Sequence, residues 1–103
     1  MQKHIDMQIT RKDSAIYIVD AKITDEEGNA KEYSRTYENS NSIYPMYRTL
    51  KVLLSGYKGC TVTITTNSKQ FNEEIASLSY INGTLANMLS DTITRNEITL
   101  IQA

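Results

Sequence analysis

Between Tyr37 and Ile43 the apolar spacing changes from two to three and four, and this switch limits the folds open to the chain. Upstream, apolar and polar residues alternate, as in half-buried strands. Ile5, Met7 and Ile9 point one way, with Asp6, Gln8 and Thr10 pointing the other. Arg11-Lys12-Asp13-Ser14 is expected to turn the chain. A second strand is expected over residues 15–24, with Tyr17, Val19, Ala21 and Ile23 on one face. Asp25-Glu26-Glu27-Gly28-Asn29 predicts a hairpin turn, because Gly and Asn reach positive φ at little cost. A third strand follows over residues 30–37. Its Lys31, Glu32 and Arg35 suit a sheet edge that must not recruit other chains. The chain thus opens as an antiparallel meander.

Downstream, Asn39-Ser40-Asn41-Ser42 offers helix-capping side chains. Ile43, Met46, Tyr47, Leu50, Leu53, Leu54 and Tyr57 then form one helical stripe. Pro45 falls in the first turn, where a missing N–H costs little. Gly56 and Gly59 are expected to end this helix. Residues 60–66 alternate β-branched and polar positions as a fourth strand. Asn67-Ser68 caps a short helix carrying Phe71 and Ile75. Asn82-Gly83-Thr84 breaks it, and a third helix sets Leu85, Met88, Leu89 and Ile93 on one side. A last strand is expected over residues 97–102. The order β-β-β-α-β-α-α-β predicts an α/β (α+β) fold with a mixed five-stranded sheet and the helices mainly on one face.

With 103 residues, this is expected to be a single domain spanning 1–103. Its 11 Lys+Arg against 12 Asp+Glu leave a net charge of -1, which excludes nucleic-acid binding by bulk charge. The single cysteine, Cys60, excludes an internal disulfide framework and a thiolate metal cluster from one chain. His4, the one histidine, likewise excludes His-based metal clusters and triads. Cys60 has no histidine nearby in sequence to act as its base and reads as a structural strand residue. The four glycines all fall at turns or helix ends, so no phosphate-binding loop is present. No secretory leader precedes Ile5 and no window suits a membrane span, so a cytoplasmic location is expected, and the Asn82-Gly83-Thr84 sequon reads as a turn.

The order of elements, together with local text, resembles the ribonuclease H-like fold. Thr66-Asn67-Ser68-Lys69-Gln70-Phe71 is similar to the family's strand-end Thr-Asp-Ser leading into a helix. Asn41-Ser42-Ile43-Tyr44-Pro45-Met46 is similar to the start of its first helix, where the family places a Glu. Residues 85–89 and 96–100 resemble its last helix and fifth strand. The resemblance covers nearly the whole chain. It implies a site in which clustered carboxylates hold two divalent ions for phosphodiester hydrolysis. Here the fourth-strand Asp position carries Asn67, the helix Glu position carries Pro45 or Tyr44, and the first-strand Asp position carries Thr10 or Arg11. The chain also ends at Ala103, before the helix that supplies a further carboxylate. No cofactor, no metal and no catalytic residue is therefore expected, as in a catalytically inactive, shortened member.

Asp6, Asp13, Asp20 and Asp25 lie in the meander, and Asp6 and Asp20 are expected to face one another across the first two strands. They read chiefly as solvated residues of a polar face. Thr61, Thr63 and Thr65 share that face with Asp6, Gln8 and Thr10, leaving it open to water or to a partner. In the last strand Leu100 and Ile101 are candidates for strand addition or a homodimer, alongside simple closure of the core. Tyr33, Tyr37, Tyr44 and Tyr80 are expected to be exposed, and Tyr33 and Tyr37 join the partner-binding candidates.

These readings converge on a non-enzymatic protein-interaction module. The Asn, Ile, Lys, Thr and Tyr bias suggests an AT-rich bacterial or phage genome, and an inhibitor of a host protein such as a defence nuclease fits the size. The alternative is weak hybrid or duplex binding through Lys12, Arg48, Lys51, Lys58 and Lys69. A nuclease with rearranged carboxylates ranks last.

Overall fold

The computed structural model describes residues 1–77 and 83–103. The elements are β1 (Gln2–Asp13), β2 (Ile16–Asp25), β3 (Ala30–Tyr37), α1 (Tyr44–Leu54), β4 (Thr61–Thr66), α2 (Lys69–Ala76), α3 (Thr84–Arg95) and β5 (Thr99–Gln102). The strands form one mixed sheet in the order β3-β2-β1-β4-β5. β1 pairs antiparallel with β2, and β2 with β3. β4 lies parallel to both β1 and β5, so helices must carry the chain back each time. This is the expected element order and the expected mixed α+β sheet.

Strand alternation sorts the core from the surface. Ile5 and Met7, Val19, Ala21 and Ile23, and Val62 and Ile64 are buried. They form one cluster with Met46, Tyr47, Leu50 and Leu54 of α1, Phe71 and Ile75 of α2, and Leu89 of α3. Burial of each large aliphatic side chain contributes about 1.5–3 kcal/mol. Asn41 organises the entry to α1, its Oδ1 accepting from the N–H groups of Ile43 and Tyr44. Ser68 caps α2, accepting from Phe71 N–H at 3.2 Å. The meander turn forms where expected: Asp25 Oδ1 accepts from Glu27 and Asn29 N–H, and Gly28 takes φ +85°.

Four expectations are corrected. β1 does not turn at residues 11–14 but continues to Asp13, with a bulge between Arg11 and Asp13. Only Ser14 and Ala15 make the turn. Backbone pairing with Ile16, Tyr17 and Ile18 carries this part of the ladder beyond the core, so its residues need not be apolar. The face of α3 is wider than expected: Leu89 is in the core with Leu85 and Ile93 packed half-buried against it, but Ala86 and Thr92 are buried as well, and Met88 is only half-buried. α3 packs on α1, and Thr92 Oγ1 donates to the Met88 carbonyl, so its burial strands no donor. β5 begins at Thr99 because Glu97, at φ +55°, closes α3 instead. Ile98 N–H bonds the Ile93 carbonyl and Glu97 N–H that of Thr94, a Schellman closure.

The fourth correction is Tyr37, which is buried, not exposed. Its hydroxyl lies 2.8 Å from Thr49 Oγ1, itself fully buried in α1. Tyr80 and Asn82 lie outside the described residues. Gly83 stands at the N-cap of α3.

Candidate functional site

At the end of β4 the chain enters α2 through a set of neutral hydrogen bonds. Asn67 Oδ1 accepts from Ile9 N–H at 2.8 Å, and Asn67 Nδ2 donates to the Ile9 carbonyl at 3.0 Å. The amide thus acts as one more peptide group, extending the parallel β1–β4 ladder beyond its last backbone pair, Met7 with Thr66. Thr66 Oγ1 donates to Asn72 Oδ1 at 2.8 Å and accepts from Ser68 N–H at 3.1 Å. Asn72 Nδ2 returns a bond to the Thr66 carbonyl. Nearby in α2, Glu74 accepts from the Tyr47 hydroxyl at 2.8 Å and from Gln70 Nε2 at 2.9 Å. Burial, then the bond to Glu74, pushes the Tyr47 hydroxyl well above its ordinary pKa.

The sheet face opposite the core is polar. Cross-strand register sets Gln8, Asp20 and Ser34 in one row and Asp6, Lys22 and Glu32 in the next. Together they line a shallow depression of about 370 Å³. Ser34 Oγ donates to Asp20 Oδ1 at 2.7 Å, and Gln8 Nε2 donates to Asp6 Oδ1 at 2.9 Å. Asp6 therefore lies opposite Lys22, not Asp20, and the two aspartates sit diagonally. On the β4 side, His4 Nε2 and Thr65 Oγ1 are 3.0 Å apart.

A third cluster occupies the corner between β3 and the start of α1. The Arg35 guanidinium stands over the Tyr37 ring, 5.2 Å from its centroid. Tyr44, 38% exposed, meets Tyr37 edge-on at 6.2 Å. The Tyr33 hydroxyl first, then the charges of Tyr37 and Tyr33, raise the basicity of Arg35 above its ordinary value.

Comparison of the whole architecture with solved structures decides the fold. A foamy viral protease-reverse transcriptase in complex with dsDNA matches with a TM-score of 0.63 at 14% identity, over 99% of this chain and 79% of the other. LC11-RNase H1 in complex with an RNA/DNA hybrid matches with a TM-score of 0.60 at 12% identity, over 98% and 84%. The fold is ribonuclease H-like. No protein-family model matches the chain, and no curated protein matches it.

On this ribonuclease H-like scaffold the expected site residues lie on several different elements. Asn67 meets Ile9, not Thr10 or Arg11. Pro45 is buried in the first turn of α1. Arg11 is exposed and its guanidinium donates to the carbonyls of Asp13 and Ser14. Among the described residues, no three His, Cys, Asp or Glu side chains gather as a metal ion would require. Thr61, Thr63, Thr65 and Gln8 share the polar face, as their pairing with Gln2, His4 and Asp6 requires. Tyr33 does not: it pairs with Ala21, is half-buried and packs against the core. Leu100 is half-buried, and Ile101 is 46% exposed on the edge strand. Sequence reasoning missed the Asn67–Ile9 clamp and the Arg35–Tyr37–Tyr44 corner. Alternation of Tyr33, Arg35 and Tyr37 was the available signal for the corner.

Proposed function

We propose that this chain is a non-enzymatic protein-interaction module on a ribonuclease H-like scaffold. The observation that carries the reading is the pairing of Asn67 with the Ile9 backbone, in which both polar atoms of the amide are engaged. Divalent magnesium needs hard, anionic oxygen ligands. An engaged amide, a proline and an arginine at the expected positions do not fit that requirement, and no hydrolytic step is derived through it. The polar face around Thr61, Thr63, Thr65 and Gln8, and the edge strand with Leu100 and Ile101, are the partner surfaces this reading offers. In its finer form the protein is a phage- or mobile-element-encoded inhibitor of a host protein, such as a defence nuclease.

A second reading, weak nucleic-acid binding, is favoured by the two solved structures above, both complexes with nucleic acid. Lys12, Arg48, Lys51, Lys58 and Lys69 are its candidate contacts. One experiment separates the readings: titration with duplex and hybrid at two salt concentrations, with and without magnesium or manganese. The module reading expects neither cleavage nor salt-sensitive binding. Metal-dependent cleavage lost in Asp6→Asn and Asp20→Asn would overturn it, and salt-sensitive binding without cleavage would favour the second reading. A homodimer through β5 is tested by sedimentation. A monomer at every concentration, unchanged by Ile101→Lys, removes that possibility.

A further inference from the structure

Resting on the interaction-module reading, we propose that the β3 edge binds an extended acidic polypeptide segment, which adds as a sixth strand and sets a carboxylate on Arg35. β3 is the outermost strand and, at eight residues, twice the length of β5 at the other edge. Its outward N–H and C=O groups have no strand partner among the described residues, so the main chain offers a template for strand addition. The charges of Lys31, Glu32 and Arg35, which guard the edge against indiscriminate pairing, restrict it to a strand of complementary charge.

The side chains select what is added. Lys31, Tyr33, Arg35 and Tyr37 alternate along the core-side face of β3, in register with Ile23, Ala21, Val19 and Tyr17. Both charges on this row are positive. Arg35 is exposed, and its guanidinium rests on an aromatic ring instead of a carboxylate. The one ion pair among the described residues joins the N-terminal amine to Glu26, so no carboxylate already occupies the Arg35 fork. That ring is immobilised from below by the Tyr37–Thr49 hydrogen bond, and Tyr44 walls the corner. A pre-positioned guanidinium loses little freedom when it takes a carboxylate bidentately.

Charge and geometry argue against other occupants. A second copy of β3 would set the same cationic row beside this one on the same face, which is repulsive. A nucleic acid offers phosphates to Arg35 but cannot pair with the strand edge. The opposite face of β3 carries Glu32, Ser34 and Thr36, so the added strand should alternate acidic residues with hydroxyl or basic ones.

The test uses the full chain and a capped nonapeptide alternating Glu with Thr, followed by backbone amide NMR. Saturable shifts confined to residues 30–37 and to Tyr44 are expected, with binding about tenfold weaker in Arg35→Ala and weaker still in Arg35→Glu. Arg35 is exposed, so these variants keep the fold. The proposal is overturned by absence of saturable shifts, by equal binding of a Lys-for-Glu peptide, by shifts centred on β4 or β5, or by oligothymidylate binding this corner in place of the peptide. Failure here without nucleic-acid cleavage removes the β3 assignment alone. Metal-dependent cleavage would remove the module reading while leaving a positive peptide result in place.

Discussion

Asn67 and Ile9, 58 residues apart, are joined by a side-chain amide that both accepts from and donates to one backbone unit, at 2.8 and 3.0 Å. A carboxylate at position 67 keeps the first bond but turns the second into repulsion against the Ile9 carbonyl. Asn67→Asp should therefore lower stability by about 1–2 kcal/mol at neutral pH, a modest loss because the site is exposed. Protonation restores a donor, so the introduced carboxyl is held above its unfolded value of about 3.9. The penalty is then present at neutral pH and fades as pH falls through the folded value. Urea midpoints of both proteins across acid pH check this. Equal stability at neutral pH would show the clamp to be dispensable.

The Tyr37–Thr49 pair ties the last sheet residue of the meander to α1 inside the core. Thr49→Val should cost about 1–3 kcal/mol, because the Tyr37 hydroxyl is left buried without its partner. In a double-mutant cycle, adding Tyr37→Phe should cost less than the sum of the single changes. Strict additivity would mean that the two hydroxyls do not act as a pair.

Tyr47 should contribute to the loss of stability at alkaline pH. Burial and Glu74 hold its folded-state pKa above the unfolded value of about 10, so the folded protein binds the proton more tightly. Stability from this group is complete below about pH 10 and is lost as pH rises towards the folded value. Tyr57, raised by burial and then by Cys60, adds in the same sense. Tyr47→Phe should lower stability at neutral pH by about 1 kcal/mol and flatten the alkaline decline. A decline as steep as that of the parent would assign it elsewhere.

Glu97 closes α3 in a left-handed conformation that favours glycine, at φ +55°. Glu97→Gly should raise stability by about 0.5–1 kcal/mol, read from thermal and urea unfolding. Destabilisation would imply that the glutamate side chain contributes more than its backbone strain costs.

What the sequence made legible follows from what each signal depends on. Alternation in the strands and the switch at Asn39-Ser40-Asn41-Ser42 are local, so element order, the turn at Asp25 and the Ser68 cap could be read directly. The extension of β1 through Arg11 and Asp13 could not, because it depends on pairing with β2 and not on side-chain polarity. The face of α3 is legible only in part, since Leu85, Leu89 and Ile93 pack on the core as their spacing predicts but the burial of two further residues is not marked. Ala86 and Thr92 are buried although a small alanine and a polar threonine carry little hydropathy signal. Tyr37 is amphipathic, and only the distant Thr49 decides that its hydroxyl is inside. The residues at the expected metal positions were legible one by one. The partner of Asn67 was not, since nothing near position 67 names Ile9.

The β4–α2 junction is bonded throughout by amides, hydroxyls and main-chain groups. A cluster of like-charged carboxylates in the same place would repel itself until a cation or a proton relieved it. Neutral bonding has no such dependence. The melting temperature of this protein should thus be indifferent to chelators and to added magnesium, as calorimetry can establish. At this end of the sheet the strand and the helix that follows it are locked by the chain's own neutral groups.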